Sequence, residues 1–173
     1  IAVLDAGFPN VDVLSVFDSL HFNNRLVSTW DFVERNDSVY NDHPHGMMVL
    51  STMAAYEPGL MIGTAPEASY MLLRTEDAST EYPIEEDYWV AGAEYADSAG
   101  ADIINSSLGY TTFLNPIFDH TYADMDGSTT HGAIGADIAA AKGILVVNSA
   151  GNSGNSAWQY IGTPADGGSV LAI

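Results

Sequence analysis

Short apolar runs alternate with longer stretches of helical spacing along the whole chain, and this alternation constrains the fold more than any single residue. The strand candidates are "IAVLD" (1–5), "LVSTWDF" (26–32), "ASYMLLRTE" (68–76), "ADIINSS" (101–107), "ILVVNS" (144–149) and "SVLAI" (169–173). Several are apolar at consecutive positions, the pattern of strands covered on both faces. Helical stretches lie between them at about 11–22, 46–56, 85–98 and 132–142. The last has Lys142 in its final turn and Gly143 just beyond, a sound helix stop. Strand–helix alternation predicts an α/β fold: three αβα layers around a mainly parallel, doubly wound sheet. Residues 110–131 form the longest irregular stretch and read as a surface excursion. The chain opens and stops inside strand-like runs, so residues 1–173 are expected to be a piece of a longer protein, trimmed at both ends. Such a piece is expected to be unstable alone, because a partial sheet exposes apolar strand edges.

Charge narrows the partners. There are 23 acidic residues against 4 basic ones, a net charge of −19. Binding a phosphate backbone needs clustered Lys and Arg, and only Arg25, Arg35, Arg74 and Lys142 exist, so nucleic acid is excluded as a partner. The acidity reads as a solubilising surface. No apolar run reaches the roughly 18 residues of a membrane span. With no cysteine, a disulfide scaffold, a thiolate zinc site and a cysteine nucleophile are all ruled out.

In doubly wound sheets, sites form beyond the carboxyl ends of the strands. That rule selects Asp5 after the first strand, Ser106 and Ser107 after the fourth, and residues 148–152 after the fifth, with His45 opening a helix. Taken singly, each has a plain structural reading. Asp5 with Ala6 and Gly7 can be a strand-ending turn, His45 a helix start, and Asn152 a turn residue among Gly and Ser. Each also suits chemistry. Imidazole titrates near neutrality and works as a general base, and a carboxamide donates to an oxyanion without ionising.

Together and in this order, "IAVLDAGF", "HGMMVLSTMAA", "IGTAPEASYMLLRTED", "ADIINSSLGY" and "LVVNSAGNSG" resemble the subtilisin-like serine peptidases, the subtilase family. The resemblance implies a peptide or protein substrate, no cofactor, and a secreted or cell-envelope setting. It implies that His45 is the general base, that Asp5 orients it, and that Asn152 donates to the oxyanion. Ser107, Leu108 and Gly109 would form an edge that pairs with an extended peptide. Ala150 and Gly151 would leave room for the side chain preceding the scissile bond. His43 and Pro44 would belong to the approach loop.

The family's Gly-Thr-Ser-Met-Ala nucleophile segment is not among these residues, and no Gly-x-Ser-x-Gly elbow replaces it. The resemblance therefore implies that the nucleophile lies beyond residue 173, in a C-terminal part of the same domain, and that residues 1–173 alone are inactive. Two further departures concern support of the dyad. Ala6 stands where the family usually has Ser or Thr, and Met47 and Met48 stand where it usually has Thr and His. No calcium loop is expected at "YEPGLMIG", which lacks Asn and Asp, and Asp124 and Asp126 are too few for one.

Three other readings compete. A metal-dependent hydrolase would use Asp42, His43 and His45, with a further ligand from His21, His120 or His131. A non-catalytic module would keep the fold for peptide binding or as a structural part. A dinucleotide-binding domain fails, since no Gly-x-Gly-x-x-Gly follows the first strand.

Overall fold

Each apolar run picked out above carries a strand, and each strand is shorter than its run. The computed structural model describes residues 1–173, which fall into two units, Ile1–Ala78 and Ser79–Ile173. Both units are built from parallel strands and helices, the mainly parallel α/β architecture that the alternation predicts.

In the first unit, β1 (Ala2–Asp5) and β2 (Leu26–Asp31) flank β5 (Tyr70–Arg74), all parallel. Register sets Asp5 opposite Arg74, and Arg74 opposite Asp31, so three charged residues end three adjacent strands. All of β5 is buried, which explains its apolar run from Tyr70 to Leu73 before the charged Arg74. The helix expected at 11–22 reduces to α1 (Asp18–Phe22) behind a single 3-10 turn, Ser15–Phe17. Asn10 takes a left-handed φ of 64°, and its carbonyl accepts from Val13 and Leu14, so residues 10–14 are spent in a turn.

Helix α2 (His45–Ala54) begins one residue earlier than expected, on His45 itself. Its buried residues Gly46, Leu50 and Ala54 recur every fourth position and form the face turned to the core. That core gathers Val3, Phe8, Phe17, Leu20, Leu50 and Leu72. The helix stops where Ala55 turns extended, and Tyr56 enters a hairpin absent from the sequence reading, β3 (Tyr56–Glu57) with β4 (Met61–Ile62).

In the second unit, β6 (Ile103–Ser106), β7 (Leu145–Asn148) and β8 (Leu171–Ala172) run parallel, with Ser106 opposite Asn148. Helix α3 (Ile84–Ser98) buries Trp89, whose indole N–H donates to Ser106 Oγ at 2.9 Å. Helix α4 (His131–Ala141) is capped by Thr130, which accepts from Ala133 N. It lies against α3 at Gly135, where an added Cβ would come within 2.8 Å of Val90. Residues 110–131 are irregular as expected, with 3-10 turns at Pro116–Phe118 and Tyr122–Asp124.

Candidate active site

The first unit brings two of the residues marked in the sequence into contact. Asp5, fully buried at the tip of β1, lies 2.7 Å from His45 Nδ1 through its Oδ1. The ring nitrogen donates and the carboxylate accepts, which leaves Nε2 as the nitrogen available to exchange a proton. Local packing forces the approach. An added Cβ on Gly46 would sit 2.8 Å from Asp5 Cβ and 2.5 Å from Gly7 O, so only glycine lets the helix start press against the strand tip. Gly7, at φ +143°, serves the same purpose for the approach loop, since a side chain there would run into Asn41 O and His43 O.

Electrostatics follow from that contact. The hydrogen bond to Asp5 raises the pKa of His45 above its ordinary value and outweighs the partial burial that would lower it. Asp5 Oδ1 also accepts from Ala6 N at 2.7 Å, whereas Oδ2 is buried without a hydrogen-bonding partner. The missing hydroxyl at position 6 thus coincides with an unserved carboxylate oxygen.

The groups of the metal-dependent reading are each engaged elsewhere. Asp42 pairs with Arg74 at 3.3 Å, His43 Nδ1 accepts from His45 N, and the His43 and His45 ring centres stand 6.3 Å apart. His21 is bonded to Val11 O, His120 to Glu86 and His131 to Asp87. Asp124 and Asp126 accept from Thr121, Ser128 and Thr129, which is turn-capping chemistry.

The second unit carries the other marked residues. Ser107, Leu108 and Gly109 follow β6, with Ser107 and Leu108 half-buried and Gly109 exposed. Ala150, Gly151 and Asn152 follow β7, and Gly151 takes a φ of +92° that favours glycine. The exposed Asn152 makes no side-chain capping bond to the turn it precedes, Ser153–Asn155. Ala150 and Gly151 line an open cavity together with Tyr122, Tyr160 and Ile161. Tyr122 and Tyr160 stack there, with ring centres 3.8 Å apart.

Asn148 was missed as an individual contributor. Its buried Nδ2 donates to Leu108 O and Ser149 O, both at 2.9 Å, tying the 107–109 edge to the loop that presents Asn152. An amide ending a buried strand is the one signal that could have found it. The bond to Leu108 spans 40 residues and leaves no local pattern.

Comparison with known proteins shows the family and the fold. The sequence pattern of the subtilase family matches residues 1–173. Subtilisin E of Bacillus subtilis (strain 168) is 31% identical over 179 residues, covering 100% of this chain and 39% of the relative. Thermitase of Thermoactinomyces vulgaris is 31% identical over 154 residues, covering 86% of this chain and 47% of the relative. The chain thus spans less than half the length of both. Among solved structures, the prenylagaramide maturation protease PagA superposes with a TM-score of 0.68 at 17% identity, over 99% of this chain and 51% of its own. A lanthipeptide protease gives 0.68 at 19%, over 99% and 47%. These structural likenesses bear on the fold, and the sequence match on the family: the chain belongs to the subtilase family.

Proposed function

We propose that these residues are the Asp- and His-bearing part of a serine endopeptidase catalytic domain whose nucleophilic serine lies beyond residue 173. The observation that carries the reading is the 2.7 Å contact between His45 Nδ1 and a fully buried Asp5, in a chain of this family. With Nδ1 held, His45 Nε2 takes the proton of the serine hydroxyl as Oγ attacks the peptide carbonyl, then returns it to the leaving amine. Asp5 holds the ring and stabilises the imidazolium. Asn152 donates to the tetrahedral oxyanion. In subtilisin itself, loss of one such donor costs on the order of 10²–10³ in kcat. Water then hydrolyses the acyl-enzyme.

The substrate is a peptide or protein lying extended along Ser107–Gly109, with one side chain directed toward Ala150 and Gly151. Two facts support that arrangement: Asn148 couples the edge to the loop, and both loop residues are small. The family match runs unbroken across both units, which supports their being parts of one catalytic domain. An extracytoplasmic setting accompanies this reading and is checked by fractionating the producing cells.

The test uses the full-length protein that contains these residues. A fluorophosphonate probe, followed by intact-mass measurement under denaturing conditions, is expected to give one covalent adduct that His45→Ala abolishes. An unlabelled, folded full-length protein would defeat the proposal in favour of a non-catalytic peptide-binding module.

A further inference from the structure

His45 opens α2 without a conventional cap. The residue before it is Pro44, which offers no side-chain hydrogen bond to the helix. Asp5 fixes the ring, and the placement of the uncapped helix start that carries it depends on the loop leading in, which three contacts hold. Phe8 N donates to Val39 O at 2.8 Å, the backbone at 41–43 lies hard against Gly7, and the Asp42 carboxylate reaches Arg74. The third joins Asp42, outside the quoted motif segments, to Arg74 inside one of them.

Arg74 ends β5 between Asp5 and Asp31 in register, and its side chain is only 4% exposed. One nitrogen, Nη1, serves two carboxylates, Asp31 Oδ2 at 2.9 Å and Asp42 Oδ2 at 3.3 Å. Its Nε donates to Glu76 O. Asp31, wholly buried, is fixed in turn by Val33 N and Glu34 N through its other oxygen. Arg74 is thus a rigid post, and Asp42 is the loop residue attached to it. Asp42 also holds a left-handed φ of 64°, a conformation that Asp and Asn adopt more readily than other side-chain-bearing residues.

We infer that Arg74 is a positioning residue for His45, acting through Asp42 on the approach loop. The inference rests on the reading of Asp5 and His45 as a catalytic pair. Arg74 is buried, and the Asp42 carboxylate is engaged with it, so both act on His45 through the loop. Their effect falls on the geometry of proton transfer, where a misplacement of about 1 Å can cost on the order of 10²-fold in rate. Asp42 is exposed, and loss of its carboxylate leaves Arg74 paired with Asp31, so the cost in stability is small. Rate and stability therefore separate at this residue.

The experiment is steady-state kinetics and thermal unfolding of the full-length protein with Asp42→Asn, Arg74→Lys, Arg74→Met and His45→Ala. Asn tolerates the left-handed φ, so Asp42→Asn releases the tether while leaving the Arg74–Asp31 pair intact. It is expected to lower kcat about tenfold while KM stays within about twofold and the unfolding midpoint within about 2 °C. Arg74→Lys keeps a cation and is expected to retain more of kcat than Arg74→Met, which also strands the buried Asp31 and unfolds at lower temperature. An unchanged kcat in Asp42→Asn, with His45→Ala inactive, would overturn the positioning role and leave the catalytic pair standing. Full activity in His45→Ala would remove both readings.

Discussion

One oxygen of Asp5 accepts from both Ala6 N and His45 Nδ1, while the other is sealed from solvent with no donor. A buried acceptor left in that state costs about 1–3 kcal/mol. Ala6→Ser puts a hydroxyl one residue away and is expected to raise the unfolding midpoint by about 2–4 °C. A second donor on the carboxylate also weakens its hold on the imidazolium. In the proposed enzyme the acid limb of kcat/KM reports His45, whose pKa the bond to Asp5 raises, and it should then move to lower pH. A pH–rate profile of both forms checks this, and an unmoved acid limb would mean that the added hydroxyl does not reach Oδ2. For stability the sign is opposite to that for activity. A histidine whose pKa is raised by folding stabilises fully below its unfolded pKa and loses that contribution as pH rises through its folded one. At this scale the two side chains that meet, Asp5 and His45, were marked in the sequence because each sits in a short motif, as does the proposed donor Asn152. Asp42–Arg74 and Asn148–Leu108 stayed hidden because no motif links the partners, which are 32 and 40 residues apart and meet only in the folded chain.

The start of α3 shows how an element carries its own titration. Glu85 accepts from Thr80 Oγ1 and Tyr82 N, so the helix entrance is folded back on a carboxylate. Beside it, burial and then the charge of Glu85 push Glu81 up to about 7. A carboxyl whose folded pKa exceeds its unfolded one stabilises at low pH and loses that contribution as pH rises from about 4.5 to about 7. Glu81→Gln, neutral throughout, is expected to be more stable than the parent at pH 8 and to lack this fall. The difference between the two unfolding curves, measured from pH 4 to 8, isolates it, and a flat difference would show that Glu81 titrates normally. Elements were legible in proportion to their length. The helices at 84–98 and 131–141 matched their periodic stretches closely, whereas two-residue strands such as those of the 56–62 hairpin carry no period to read. The expected helix at 11–22 was cut short by the turn at Asn10, which periodicity alone does not register.

Across the whole molecule, strand–helix alternation and the five motif segments made the fold and the family readable. What they left open is how 23 acidic residues are distributed in structural roles, because pairing depends on neighbours in space. Asp31 and Glu86 are buried and bonded, Asp119 and Asp126 hold loops, and only part of the acidity is simple surface charge. Under the proposed peptidase function, the irregular segment after β6 also bears on how the molecule fares among its own copies. Leu114, Ile117 and Phe118 are all exposed there, the kind of uncovered stretch where nicking concentrates. A peptidase needs its substrate extended. Here Asn115 Oδ1 accepts from Ile117 N, Asp119 Oδ1 from Phe113 N at 2.7 Å, and Thr111 O from His120 N, which keeps the segment coiled. Asp119→Ala is expected to shorten the lifetime of concentrated full-length protein, with new N-termini mapped by mass spectrometry between residues 113 and 119. First cuts elsewhere would show that the coil does not govern survival. A carboxylate far in sequence from Asp5 would then set how long a protease outlasts its own activity.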